Sequence, residues 1–297
     1  MSTRTRRRFD DDDFEPPTVV WASPADDEYD DGITFSTYPD AVHGPSPLPN
    51  WVPTSPAATD ADLGVFKTGK EADVSLIRRT YADDSVLLAA KQYRDAQHRM
   101  FHRDAGYLEG RRMRKSRETR AVETRTAFGR ELIAGQWAAA EFAALAQLWA
   151  DGVAVPYPVS LDGSELLLEF VGSAAGAAAP RLAQLRPEPE QLTDLWHQLV
   201  EALTGLARQG LTHGDLSAFN LLVHEGRLVV IDLPQVVDVV GNPQGPAYLA
   251  RDVTRIADWF AARGLSSAVR GADTLLDELC RELNIPRESP LATTSHP

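Results

Sequence analysis

The spacing of apolar positions changes several times along this chain, and each change marks an element. Apolar side chains recur at short intervals in residues 63–66 and 74–77, on either side of a turn centred on Gly69, which is the period of a hairpin. The run Val86-Leu-Leu-Ala-Ala-Lys91 predicts a third strand that ends on a lysine. The spacing then lengthens. Residues 137–145 are Ala-rich with apolar positions at helical intervals. Residues 165–171 read as a buried strand running into Gly172, and the Ala/Gly/Pro stretch 173–180 as a loop. Leu192, Leu195, Trp196, Leu199, Leu203 and Leu206 fall on one face of an amphipathic helix. A short apolar strand, 228–231, leads to Asp232, and helices are expected over 248–260 and 272–283. Residues 1–60 show neither period, only aromatics scattered among Asp and Pro.

The polar residues at the ends of these elements carry the chemistry. His213-Gly-Asp-Leu-Ser-Ala-Phe-Asn220 supplies a candidate base, Asp215, and an amide ligand, Asn220; Asp232 follows the next apolar strand. Transfer of a phosphoryl group from ATP needs such a set: one carboxylate to orient the attacking hydroxyl, and an amide oxygen with a second carboxylate to hold magnesium. H-x-D-x-x-x-x-N followed by that Asp is the spacing of kinase catalytic and metal-binding loops. His213 is expected to pack the loop, and His197 to lie on its helix without chemistry. Gly64-Val-Phe-Lys-Thr-Gly-Lys70 approaches a Walker A loop, but Glu71 stands where Ser or Thr is required. Residues 73–77 then read as a strand where a Walker loop needs a helix, so that reading fails.

Gly214 occupies the position that holds Arg in most protein kinases. H-G-D is found in small-molecule phosphotransferases and in RIO-type atypical kinases. Lys67-Thr-Gly-Lys-Glu-Ala-Asp-Val74 resembles the S-T-G-K-E-A-[ND]-V nucleotide loop of the RIO family. Ala90-Lys91-Gln-Tyr-Arg94 resembles its lysine strand, Ile231-Asp-Leu-Pro-Gln235 its I-D-x-x-Q metal loop, and residues 251–260 the helix after that loop. The resemblance runs from about residue 63 to 280. Lys67 replaces the family's Ser, Ser75 stands where Tyr is common, and Ala218 where Glu is frequent. The resemblance implies an α+β, two-lobed protein-kinase-like fold with a truncated C-terminal lobe. ATP would be held by Lys67, Thr68, Gly69, Lys70, Glu71, Ala72 and Val74, by Lys91 paired with Glu141 (Glu131 is the alternative), and by the backbone at Glu169 and Val171. Asn220 and Asp232 would bind Mg2+ or Mn2+, with Asp215 as base and Asp232 also able to take the phosphoryl group.

Composition adds context. Residues 1–62 hold 13 Asp/Glu and 4 Arg, so −9 of the net −13 lies there and −4 on the remainder. Residues 1–60 are therefore expected to be a disordered acidic, Pro-rich tail, followed by an N-terminal lobe over 61–172, a C-terminal lobe over 173–285 and a disordered tail over 286–297. Residues 99–130 carry ten Lys/Arg against four acidic residues. They resemble the long basic loop of the family, a solvated surface or a contact for ribosomal RNA or a small-subunit particle. One cysteine and no long apolar run suit a cytoplasmic protein without a membrane span. The expected activity is that of a serine/threonine protein kinase or ATPase acting on a protein acceptor, itself included. The alternatives are an aminoglycoside- or choline-type phosphotransferase and a low-turnover ribosome-binding factor.

Overall fold

The computed structural model describes residues 33–94, 127–266, 269 and 271–287. Seven strands make one sheet: β1 (Ile33–Phe35), β2 (Val42–His43), β3 (Thr59–Thr68), β4 (Ala72–Tyr81), β5 (Asp84–Tyr93), β6 (Pro158–Asp162) and β7 (Glu165–Glu169). Their order is β1-β3-β4-β5-β7-β6-β2, and every neighbouring pair is antiparallel. Successive side chains of a strand point to opposite faces, and β5 uses both. Leu88 and Ala90 join Tyr157, Val159 and Leu167 in an outer cluster. Ala89 and Lys91 face a cavity on the inner side. Helix α1 (Ala127–Ala150) packs on that inner side, where Ala134 and Ala138 meet Ala72 and Tyr93.

The second half is mostly helical: α2 (Pro189–Arg208), α3 (Gly245–Ala262) and α4 (Ala272–Glu282). Between them lie two small antiparallel pairs, β8 (Leu211–Thr212) with β11 (Val237–Asp238) and β9 (Leu221–His224) with β10 (Arg227–Val230). The apolar stripe foreseen for α2 is buried as a unit, Leu192, Leu195, Trp196, Leu199, Leu203 and Leu206. It meets Ile256 and Phe260 of α3, with Trp196 edge-on to Phe260 at 5.2 Å. Leu145 and Leu148 of α1 belong to the same core, so one apolar body ties α1 to the helical half. Gly205 of α2 lies close against Val153, just beyond α1; a Cβ there would stand 2.4 Å from Val153 Cγ2.

The expectation of a wholly disordered tail over 1–60 does not hold for the part the structure describes. β1 adds to one edge of the sheet, β2 to the other, and the chain between crosses its outer face. Tyr38 and Val52 are buried there against Leu88, Tyr157 and Val159. The Tyr157 hydroxyl donates to Pro45 O at 2.9 Å. Arg79, fully buried, makes two 2.7 Å bonds to the Asp60 carboxylate, with its guanidinium 5.8 Å from the Tyr38 ring centre. The physical reason is templating. A half-apolar sheet face can order a segment that has too few apolar residues to fold alone, each large buried side chain contributing roughly 1.5–3 kcal/mol. Residues 1–32 and most of the basic segment, 95–126, lie outside the described residues; from Ala127 the chain is already helical.

Candidate active site

Alternation along β5 sends Lys91 inward, and α1 brings Glu141 to meet it. Lys91 Nζ lies 2.9 Å from Glu141 Oε1 and 2.8 Å from Oε2, and 2.6 Å from Asp232 Oδ1. Glu141 is thus the acidic partner from this helix among the described side chains; the side chain of the alternative, Glu131, lies outside them. Glu141 is almost fully buried and also accepts from the Leu233 N–H at 3.0 Å and from the Tyr93 hydroxyl. Tyr93, two residues beyond Lys91, shares its face of the strand. Burial would discharge Lys91, but the Glu141 and Asp232 carboxylates outweigh it and hold the ammonium firmly charged. Asp232 shows the mirror case. Burial pushes its carboxyl up, yet Lys91 and then Lys67 bring it well below the usual carboxylate range. Lys67 Nζ sits 3.8 Å from Asp232 Oδ2. The Asp232 backbone is left-handed, φ 67°, a conformation that costs a non-glycine residue free energy and is concentrated at functional sites.

The loop carrying Asp215 is organised by a residue the motif spacing did not flag. Asp252 of α3 is fully buried, and its carboxylate accepts from Thr212 Oγ1 at 2.9 Å, Gly214 N at 2.7 Å and Leu216 N at 3.1 Å. Three donors from one loop converge on one carboxylate. The signal in the sequence was an acidic residue inside an otherwise apolar stripe, between Leu249 and Ile256. Gly214 has φ 85°, the left-handed region that favours glycine, and its carbonyl accepts from Arg251. His213 packs the loop as expected, its Nε2 3.1 Å from Ile231 O; His197 is exposed on α2. Asp215 itself is exposed, with Oδ1 2.8 Å from Arg255 Nη1. Asn220 is tied to Asp232's strand by Ile231 N–H to Asn220 O at 2.9 Å, and Ser217 Oγ fixes its side-chain oxygen at 2.6 Å.

Between the sheet, α1 and the helical half lies a cavity of about 510 Å³, within the range of small-molecule sites. Of the residues singled out from the sequence, Lys67, Val74, Lys91, Glu141, Glu169, Val171 and Asp232 line it. Thr68, Gly69, Lys70, Glu71 and Ala72 do not; they form the β3–β4 turn, closed by Gly69 N–H to Ala72 O at 2.9 Å. Glu71 reaches Gln235 Nε2 at 3.4 Å, linking that turn to the segment after Asp232. Asp215 and Asn220 are also outside the cavity lining, on the loop beside it. Arg181, which the sequence analysis did not single out, lines the cavity and donates to Phe219 O of the loop carrying Asp215. Nothing local marked it, because its position depends on a β-bridge between Arg181 and Leu222. At the strand end, the Glu169 N–H goes to Tyr157 O and the Val171 carbonyl accepts from Ala179 N–H, both at 2.9 Å.

Comparison with known proteins fits this geometry. Residues 86–272 match the RIO domain. The chain belongs to the RIO family. Its relatives include the RIO-type serine/threonine-protein kinase Rio1 of Haloferax volcanii, 36% identical over 206 residues, covering 69% of this chain and 65% of that protein. Serine/threonine-protein kinase RIO1 of Chaetomium thermophilum is 30% identical over 214 residues, 69% of this chain and 40% of the relative. Serine/threonine-protein kinase RIO3 of Homo sapiens is 29% identical over 134 residues, 45% and 25% respectively. The chain thus spans between a quarter and about two thirds of these relatives. The RIO match begins within β5, so the 67–74 turn lies before it. The mixed fold, an antiparallel sheet followed by helices, is the kinase-like arrangement expected of a RIO domain. Among the described residues no helix is long and apolar enough to cross a membrane.

Proposed function

We propose that this protein is a RIO-type serine/threonine protein kinase that transfers the γ-phosphoryl group of ATP to a protein hydroxyl, with hydrolysis of ATP as the alternative fate of that group. The observation that carries the reading is the position of Lys91, bonded to both Glu141 and Asp232 on the inner wall of the cavity. Glu141 aims the lysine, and the Tyr93 and Leu233 bonds keep Glu141 from swinging away.

ATP would enter with its base against Ala89, Leu168 and Leu222. The adenine edge would meet the backbone carbonyl of Glu169 and the N–H of Val171, both residues of the cavity lining. The phosphates would extend towards Lys91, Lys67 and Arg181. The Asn220 and Asp232 oxygens fit a divalent cation: both are hard donors, and Asp232 is held ionised. Among the described residues no group of three or more His, Cys, Asp or Glu could hold a metal by itself, so phosphate oxygens would complete the shell. Bound there, Mg2+ or Mn2+ would neutralise charge developing on the phosphates. Asp215, on the open side, would accept the proton of the acceptor hydroxyl as its oxygen bonds to the γ-phosphorus and ADP departs.

The test is a phosphotransfer assay with labelled ATP across three acceptor classes: proteins including this one, ribosomal particles and hydroxylated metabolites. Label on Ser or Thr of protein, abolished in Asp215→Ala, supports the kinase reading. Label confined to metabolites would replace it with a small-molecule phosphotransferase. Turnover that appears only with ribosomal particles, with no acceptor labelled, would favour a ribosome-linked ATPase.

A further inference from the structure

The phosphate end of the cavity carries one more cation than the Lys91–Glu141–Asp232 set requires. Lys67, which stands where the resembling loop has Ser, projects from β3 onto the same wall as Lys91. Its Nζ approaches Asp232 Oδ2 at 3.8 Å, while Lys91 Nζ occupies Oδ1 at 2.6 Å. Each oxygen of the carboxylate therefore already has an ammonium facing it. Arg181 brings a third positive charge to the same lining. Burial lowers the Lys67 pKa, Asp232 opposes this, and Arg181 and Lys91 press it down further, which is the electrostatics of cations crowded around too few anions. Counting formal charges at this end, Lys67, Lys91 and Arg181 face only Glu141 and Asp232; the third acid of the lining, Glu169, sits at the end of β7 with its carboxylate on the Tyr157 N–H at 3.0 Å. This end of the cavity is thus set up to receive an anion, and without Lys67 that local surplus disappears.

We infer that Lys67 is a stand-in cation: it covers Asp232 in the nucleotide-free protein and moves its ammonium to the nucleotide phosphates when the cavity is filled. Two consequences come from charge alone. Nucleotide binds without a divalent metal, because Lys67, Lys91 and Arg181 already offset part of the phosphate charge. Metal binds poorly without nucleotide, because the carboxylate it needs is shared by two lysines. The favoured order is therefore nucleotide first or nucleotide with metal, with metal-first binding weak. This inference rests on the cavity being a nucleotide site.

The test is calorimetric titration of the full chain with ADP in EDTA, with ADP in Mg2+, and with Mn2+ alone, for the natural protein, Lys67→Ser and Lys67→Met. Lys67 is half-exposed on a hairpin, and a thermal melt on each variant reports folding. The expected result is that EDTA weakens ADP binding to the natural protein by less than about tenfold. In both variants it weakens binding by roughly a further 10–100-fold, the worth of a hydrogen bond to a charged group. Mn2+ alone should bind the variants more tightly than the natural protein. Equal metal dependence in all three proteins overturns the role of Lys67 while leaving the nucleotide site standing. No ADP binding under any condition overturns the nucleotide reading and this inference with it.

Discussion

Replacing Asp252 by Asn changes one buried atom and tests how the loop carrying Asp215 is held. The carboxylate receives three donors, two on Oδ2 (Thr212 Oγ1 and Gly214 N) and one on Oδ1 (Leu216 N). An amide has one oxygen. Whichever way it turns, its NH2 group faces a backbone N–H, so at least one hydrogen bond is lost and one buried donor is stranded. A bond to a charged group is worth about 1.5–3 kcal/mol, and the stranded N–H cannot reach water at a fully buried site. The net loss should be about 2–4 kcal/mol, or roughly 4–16 °C in melting temperature for a domain of this size. Function should fall further than stability. Gly214 and Leu216 flank Asp215, and if that residue is the base as proposed, displacing it by ~1 Å costs on the order of 10²-fold in turnover. Nucleotide affinity should change little, because Thr212, Gly214 and Leu216 do not line the cavity. Steady-state kinetics at saturating ATP, calorimetric nucleotide titration and a thermal melt read these three quantities. A variant with natural melting temperature and turnover would refute the view that Asp252 organises the loop.

Lys91→Ala should reduce phosphotransfer by ~10²-fold or more, the scale of losing one electrostatic stabiliser, measured as initial rate with labelled ATP in a protein whose melt confirms folding. Asp215→Ala should keep nucleotide binding and lose turnover, whereas Asp232→Ala should weaken metal-dependent binding as well; equal binding losses in both would contradict the separation. If Asp232 takes the phosphoryl group during hydrolysis, hydroxylamine should release label from that residue alone, and acid-stable label on Ser or Thr only would exclude the route. Deleting residues 1–58 should lower the melting temperature, and Tyr38→Ala alone should cost about 3–5 kcal/mol; an unchanged melt would mean the segment does not pack as described. Asp232 is held ionised below its ordinary value of 3.8, so its contribution to stability is present above that pH and lost as pH falls through the lower folded value. Asp232→Asn should flatten the acid limb of the stability curve below about pH 4.

What could be read from the sequence was whatever repeats at a fixed local spacing. The apolar run 86–91 predicted a strand ending on Lys91, the helical spacing of 137–145 a helix carrying Glu141, and the run 228–231 a strand leading to Asp232, while the pairing of Lys91 with Glu141 was implied by the resemblance to the RIO family. The order Asp215, Asn220, Asp232 needed only distances along the chain. Other features depended on partners far away in sequence. Tyr38 and Val52 carry no period; they order because Leu88, Val159 and Tyr157 form a surface waiting for them. Arg181 reaches the cavity through a bridge to Leu222 that composition does not encode. Asp252 was visible as a charged residue within an apolar stripe, but its three partners belong to a loop about forty residues earlier.

The way residues 33–43 clasp the sheet has a bearing on the order of assembly in the cell. β2 pairs with β6 in a register that sets Val42 against Leu161, about 120 residues downstream. A ribosome adding about 5–20 residues per second releases the first of these strands many seconds before the second exists. Until then the early strand has nothing to pair with, and the sheet edge it will cover has not yet been made. The segment translated early is thus among the last to find its place, and a nascent chain stalled before residue 158 would leave it exposed to chaperones and proteases.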